Sequence, residues 1–538
     1  MTNGVWDLKP REWSDVAREA KAKGVEAHVG RAFSIIGIKN SELSEEFQQV
    51  KTRIVYQGSN VRDQDNAQKF FAEASSSPSH LGACRIATSH AIISGGECES
   101  ADAEAAYLQS LLTGTPTWCR LPREWLEIVC PEALTMRDPC FLLLRALYGH
   151  PMSGLIWERH LNSILADRSW LPAPGFPSCY VKIRPEGEGG VLFLVVYVDD
   201  FVMSGRLLKK EWELLSSVVK FGSPPAPLKR FLGVEHNFTK VGDVTQVEFD
   251  MRPFIKQCLV NFKLASNLNI DNKLKDVDVP MRADYIKSIV KDLKPQQGVY
   301  KKESPSLLMK PMYLARACFP VLSFTIGRLA RRITQWSALD DDALCQMYRF
   351  LESNKDVTLK GFINRSNKLK LRLDVFPDAD WAGDPETSRS TSGMLIRLSD
   401  GENHFPLEWA SKRQSVVSCS TPEAELVALA RAVRMFALSL QALLSVLYGF
   451  ELPMFIHEDN SATILILNKG YSLSLAHLER THRINVAWTC EVLKDKTIHL
   501  VKIDTKEQLG DFFTKPLEKN TLSEMMGEIG LTKGSTAL

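Results

Sequence analysis

At 538 residues, 44% hydrophobic and 24% charged, the chain is too long for one core and too apolar for bulk disorder, which predicts about three or four globular units. A formal net charge of +2 excludes a uniformly basic nucleic-acid-binding protein, so a nucleic-acid partner must be held by local basic patches and metal ions. The eleven cysteines form no CxxC pair and no zinc-finger spacing, the pattern of reduced intracellular thiols; with no signal-peptide core at MTNGVWDLKPREW and no run of about 18 apolar residues, the chain is expected to be neither secreted nor membrane-spanning.

In chain order, RAFSIIGIK (31–39) and VKTRIVYQ (50–57) are strand-like runs joined by the polar stretch SELSEEFQQ, which predicts a hairpin. Lys51 and Arg53 alternate on its second strand and share a face; a solvated edge strand is the plainer reading of that pair. Short strands then alternate with helices to about residue 190, with a helix over 152–166. Breaks occur at LPAPGFPS (171–178), RPEGEGG (184–190) and GSPPAP (222–227), and the middle one, with strands on both sides, predicts a hairpin ending in the stretch VLFLVVYVDDFVMSG (191–205). Residues 262–307 are polar and lysine-rich and read as a mobile subdomain or a connector. Helices over 306–335 and 338–355 follow, beside the basic cluster Arg328, Arg331 and Arg332. After 368 the pattern is three strands, a long helix, a strand, two helices, a strand and a last helix. That order is one α/β domain, with Thr421 the expected N-cap and Pro422 the first helical residue.

Two acidic constellations stand out. The run Val191–Val198 reads as a strand buried on both faces, yet it ends in Asp199 and Asp200. Adjacent carboxylates at such an end repel and lose solvation, which a divalent cation offsets; a hairpin turn facing water is the competing reading. Asp102, just after a short extended segment, is placed to join them, and three carboxylates suffice for two Mg²⁺ engaged in phosphoryl transfer. The second set is Asp378 at the end of a strand, Glu425 on the long helix, Asp459 at the end of another strand and Asp511 on the last helix. Residues beyond the carboxyl ends of neighbouring strands converge on one crevice. Individually these four are also readable as a turn, a helix surface, an N-cap and a solvated acid. Asp380, Asp384 and His482 are weaker candidates.

YVDD (197–200) is the tetrapeptide of retroelement reverse transcriptases, and its companions come in the matching order. KTRIVYQG (51–58) resembles KARLVAKG, SADAEAAYLQ (100–109) resembles MDVKTAFLNG, LLRALYGHPMSGLIWERHL (143–161) resembles LKKSLYGLKQAPRAWY, and RFLGVEH (230–236) resembles KYFLGIE. Downstream, FPDADWAGD, STPEAEL, HEDNSA and KEQLGDFFTKPL resemble the ribonuclease H motifs SDADWAGD, SSTEAEY, CDNQSA and QLADILTKPL. Over roughly residues 30–525 the chain thus resembles the reverse transcriptase and ribonuclease H region of a Ty1/copia-type retrotransposon polyprotein. HPMSGLI, where the family carries LKQAPRA, is a departure on the template side.

The resemblance implies a multidomain α/β and α+β chain, a right-hand polymerase followed by a connector and a ribonuclease H-like domain. The expected division is an N-terminal extension (1–30), fingers and palm (31–260), thumb and connector (261–367), a ribonuclease H-like domain (368–525) and a tail (526–538). It makes Asp102, Asp199 and Asp200 the metal ligands of the polymerase, and Asp378, Glu425, Asp459 and Asp511 those of the nuclease, with two Mg²⁺ (or Mn²⁺) at each centre. Tyr107 matches the aromatic under the sugar of the incoming nucleotide, Tyr148 and Gly149 the segment backing its base, and Lys51 and Arg53 candidates for its triphosphate. The implied partners are an RNA template, a DNA primer, dNTPs, the RNA–DNA hybrid and other polyprotein products, in cytoplasmic virus-like particles or the nucleus. Since protease, zinc-knuckle and integrase motifs are missing from the sequence, it is expected to be one portion of such a polyprotein. The rival reading is a decayed or host-adopted copy that binds nucleic acid or partner subunits without catalysis; a nuclease alone leaves Asp102, Tyr107 and YVDD unexplained.

Overall fold

The computed structural model describes residues 4–39, 45–71, 77–292, 294–472 and 475–535. Among these residues four sheets carry the architecture. In the first, His28–Lys39 pairs antiparallel with Gln49–Tyr56, from Ala32 opposite Tyr56 to Lys39 opposite Gln49, the hairpin expected from the sequence. Thr117–Arg120, Pro139–Leu142 and Arg11–Glu12 extend this sheet on its other side. Residues 4–30 are therefore not a mere extension. Helix Trp13–Lys23 places Val16 and Ala20 in a small core with Val29, Trp118 and Cys140.

The second sheet runs Ala226–Pro227, Glu97–Asp102, Asp200–Gly205, Leu192–Tyr197, Cys179–Lys182, Leu171–Pro172. Its central strand explains the unbroken apolar run. Phe193 and Val195 face a core shared with helix Ala83–Ser94. Leu192, Leu194 and Val196 face the opposite core with Trp157 and Leu161 of helix Ser153–Ala166 and with Trp212 and Leu215 of helix Leu208–Ser216. Side chains alternate between the faces of a strand, so a sheet covered on both sides needs an apolar residue at every position.

The third sheet corrects one expectation. Val234–Val241 and Val244–Asp250 form a hairpin, which pairs with Val357–Asn364 and through it with Leu531–Lys533. Residues 526–538 thus include an edge strand, preceded by helix Lys519–Ile529, and not only a tail. Of the two readings of 262–307, the described residues fit a packed subdomain and not a bare connector. Helix Arg252–Ala265 buries Ile255, Cys258, Leu259 and Phe262, and helix Ala283–Lys291 buries Tyr285 and Ile289, whose apolar spacing is masked by exposed lysines. The helix expected over 306–335 is broken into Ser304–Ala317 and Ser323–Ala330 by a turn at Pro320–Leu322. Proline disfavours helical backbone at the residue before it.

The fourth sheet runs His404–Arg413, Arg389–Ser399, Arg372–Asp384, Met454–Glu458, Ile498–Lys502; the first three strands are antiparallel and the last two join in parallel. Helix Thr421–Ala432 continues through one π turn, Val433–Ala437, into Leu438–Tyr448. Its cap is Ser420, whose hydroxyl accepts from the Glu423 N–H, so the start lies one residue before the position expected from Thr421 and Pro422. Among the described residues this is the one helix long and apolar enough to cross a bilayer, and 56% of its most apolar stretch is buried within the protein. The Arg85 guanidinium joins the second and fourth sheets, donating to the Leu407 and Ala317 carbonyls at 2.8 and 2.7 Å and lying 4.1 Å over the Trp409 ring.

Candidate active sites

The first acidic centre sits where strands Glu97–Asp102 and Asp200–Gly205 end together: Asp200 is the register partner of Asp102. Asp199 occupies the two-residue turn between Tyr197 and Asp200. The turn is strained, because Val198 has φ = +61°, a left-handed conformation that a β-branched side chain resists. Two hydrogen bonds hold it: the Trp157 indole N–H donates to the Val198 carbonyl at 2.8 Å, and the Ala103 N–H to the Asp199 carbonyl at 2.7 Å. Asp199 and Asp200 are half-buried and Asp102 is exposed, so this centre opens to solvent at the ends of these strands.

Tyr107 lies in the turn Ala106–Gln109, its ring 4.8 Å from that of Tyr148. Burial raises both phenols, Tyr148 to about 12, and the Asp199 charge raises them further, whereas Arg53 opposes the rise at Tyr148. Asp199, Tyr107, Tyr148 and Arg53 therefore share one electrostatic environment. Lys51 stands one step farther out on the same strand face and is exposed, opposite Gly37. Gly149, at φ = +82°, lets its segment meet the hairpin: a Cβ there would stand 2.2 Å from the Tyr56 carbonyl, and the Tyr56 N–H donates to the Tyr148 carbonyl at 2.7 Å. In the divergent HPMSGLI segment His150 is buried against Tyr56 and Phe71, and burial lowers it to about 4.

The second centre is tighter. Strands Arg372–Asp384 and Met454–Glu458 pair in parallel only from Leu373 with Met454 to Val375 with Ile456, and Asp378 and Asp459 each lie three residues past the last pair. Asp378 is within a long strand and not at its end. Helix Thr421–Ala432 brings Glu425 over this opening, where its carboxylate accepts the Ala379 N–H at 2.8 Å. Asp378, Glu425 and Asp459 then offer oxygens that all lie within 4.8 Å of one another. Asp511 is not on the last helix but in the short 3₁₀ turn Leu509–Phe513. Gln508 anchors that turn by donating to the Pro377 and His457 carbonyls, and Gly510 allows its close approach, since a Cβ there would stand 2.5 Å from that of Asp378. Asn460 caps helix Ser461–Lys469.

The cluster is buried and internally repulsive. Asp378 is held well above the carboxylate range by burial and by Asp511, and Glu425 is pushed to about 11 by burial and by Asp378, Glu458 and Asp459. Burial raises Asp511 against the pull of Lys515, whose ammonium lies 2.6 Å away. The Thr514 hydroxyl donates to Asp378 at 2.6 Å. Glu458, missed in the sequence, is fully buried, is raised to about 8 by burial, and has one carboxylate oxygen without a hydrogen-bond partner among the described residues. A hard divalent cation satisfies this donor set: all-oxygen ligands, several carboxylates and an orphaned buried oxygen.

The weaker candidates fall outside both centres. Asp384 is locked between Arg328 at 2.5 Å and Arg413 at 3.0 Å, which hold it far below the usual carboxylate range. Asp380 is raised to about 7 by burial and accepts the Thr391 N–H. His482 is buried beside Glu423.

Fold and sites define a mixed α/β chain with two separate carboxylate centres, one on a hairpin turn and one in a sheet crevice. No family model matches it. It is 25% identical over 539 residues to the retrovirus-related Pol polyprotein from transposon RE1 of Arabidopsis thaliana, covering 99% of this chain and 33% of the relative. To the corresponding polyprotein from transposon RE2 of the same plant it is 26% identical over 492 residues, covering 90% and 31%. The relatives that align over most of the chain are thus Pol polyproteins of Ty1/copia-type retrotransposons, of whose length the chain spans about one third. A solved foamy viral protease–reverse transcriptase in complex with double-stranded DNA is 12% identical, with a TM-score of 0.38, covering 85% of this chain and 63% of that one.

Proposed function

We propose that this chain is an RNA-directed DNA polymerase with an attached ribonuclease H, one portion of a copia-like retrotransposon polyprotein. The observation that carries the reading is the pair of carboxylate centres on separate sheets, within a chain aligned over 99% of its length with a Pol polyprotein. Asp102, Asp199 and Asp200 would hold divalent cations at the first centre, and Asp378, Glu425, Asp459 and Asp511 at the second. When bound, Mg²⁺ or Mn²⁺ supplies charge stabilisation at a phosphorus undergoing in-line displacement.

The chain's own residues set the remaining terms. Trp157 and Ala103 fix the turn that presents Asp199. The Tyr107 ring, tilted against that of Tyr148, forms the floor beneath the sugar of an incoming dNTP, with Gly149 at its base. Arg53, and farther out Lys51, meet its triphosphate. At the second centre Thr514 and Lys515 orient Asp378 and Asp511. The substrates in this reading are an RNA template with a DNA primer and the RNA–DNA hybrid that results, in cytoplasmic particles or the nucleus. Primer extension on poly(rA)/oligo(dT), with and without Mg²⁺, tests it. Metal-dependent extension is expected; binding of the hybrid with no extension would favour a decayed copy.

A further inference from the structure

We propose that Cys419, Glu423 and His477 form a transition-metal site, with Zn²⁺ its natural occupant, on the far side of the long helix from the carboxylate crevice. A thiol sulfur, a carboxylate oxygen and an imidazole nitrogen of these residues all lie within 4.8 Å of one another. Glu423 is 1% exposed and stands at the first turn of the helix beginning at Thr421. One of its oxygens accepts the Cys419 N–H at 3.0 Å, and the other faces Nε2 of His477 at 3.1 Å.

The independent observation comes from His482. Its ring is fully buried, and neither nitrogen makes a hydrogen bond of ordinary geometry among the described residues. Its Nε2 nevertheless points at the same Glu423 oxygen, 3.5 Å away, with the Val417 backbone beside the ring. One buried carboxylate oxygen approached by two imidazoles, with a thiol alongside, exceeds what a helix cap requires. It matches the mixed sulfur, nitrogen and oxygen donors that select zinc over Mg²⁺. Closing the three ligands onto zinc, at about 2.0–2.3 Å each, takes a contraction of the cluster. Cys419 is exposed and His477 partly so, which leaves the fourth position to water. His482 is a positioning residue that steadies Glu423 from the buried side.

The sequence conceals the site because its ligands come from two distant segments and one is a glutamate. An ion here clips the segment carrying His477 and helix Leu478–Thr481 to the start of the long helix, two residues before Glu425. The inference does not rest on the nuclease reading: zinc binding without hybrid cleavage would sink that reading alone.

The test uses the full chain stripped of metal and held in excess Mg²⁺ to occupy the carboxylate centres. Zn²⁺ affinity is measured by competition with a chromophoric chelator, and Co²⁺ is used as the spectroscopic probe. The expected result is about one ion per chain, with a thiolate-to-cobalt charge-transfer band. Cys419→Ser, at an exposed position, should remove the band and weaken Zn²⁺ at least about tenfold, His477→Gln should also weaken it, and His482→Ala should weaken it about 10–100-fold while keeping the band. Cys345→Ser should change neither readout. Circular dichroism of each metal-free variant separates a lost ligand from a lost fold. No thiolate band in the unmodified chain, a band that survives Cys419→Ser, or a Zn²⁺ affinity in folded Cys419→Ser and His477→Gln unchanged from that of the unmodified chain would overturn the site.

Discussion

Trp157→Phe tests whether the strained turn at Val198 is what presents Asp199. The substitution removes the 2.8 Å bond from the indole to the Val198 carbonyl while keeping an aromatic ring in the core. The lost hydrogen bond costs about 0.5–1.5 kcal/mol. The left-handed backbone at Val198 already costs about 1–2 kcal/mol, so the turn loses a restraint comparable to the strain it opposes. If that whole difference appears in the polymerase step, 1.4 kcal/mol is tenfold in rate, and DNA synthesis should fall about tenfold. Hybrid cleavage should not change, because the second centre is built on another sheet. Adding Val198→Gly to Trp157→Phe should recover part of the rate, since glycine holds a positive φ without strain. The assay is single-turnover primer extension beside hybrid cleavage on the same preparations. A parallel loss of both activities, or a double variant no better than Trp157→Phe, would refute the reasoning and leave Trp157 as core packing alone.

Asp199→Asn should abolish DNA synthesis and spare hybrid cleavage, and Asp378→Asn should do the reverse; one substitution that removes both without unfolding argues against two centres. Tyr107→Val should raise incorporation of ribonucleotides relative to deoxynucleotides in matched primer extension, because the ring occupies the space a 2′-hydroxyl needs; an unchanged ratio removes Tyr107 from the site. Buried His90, His150 and His236 are lowered to about 3, 4 and 4 by desolvation, from an ordinary value of 6.5. Their neutral forms favour the fold above pH 6.5, and that contribution is lost as pH falls toward 4, by roughly 2 kcal/mol per histidine at about pH 5. Denaturation midpoints followed across that range should drop steeply, and less so for His150→Asn; a flat profile contradicts the burial argument.

What the sequence determined by itself is the local order. The apolar run before Asp199 and Asp200 declared a strand buried on both faces, the strand-like runs 31–39 and 50–57 with a polar stretch between them declared a hairpin, and the acids of both centres were visible as motifs in the right succession. These are properties of short windows, where side-chain period and turn chemistry act directly on the backbone. Tertiary structure decided the partners. Asp378 and Asp384 look alike in FPDADWAGD, but Asp384 is neutralised by Arg328 and Arg413 from other elements, while Asp378 is left among acids. Leu531–Lys533 resembled a tail until Val357–Asn364 offered it an unpaired edge. Glu458 became part of the second centre, and Cys419 met His477, only when the helix from Thr421 docked on the sheet. The pairing of distant segments depends on which apolar faces cover one another, and no window of the chain contains both halves of that information.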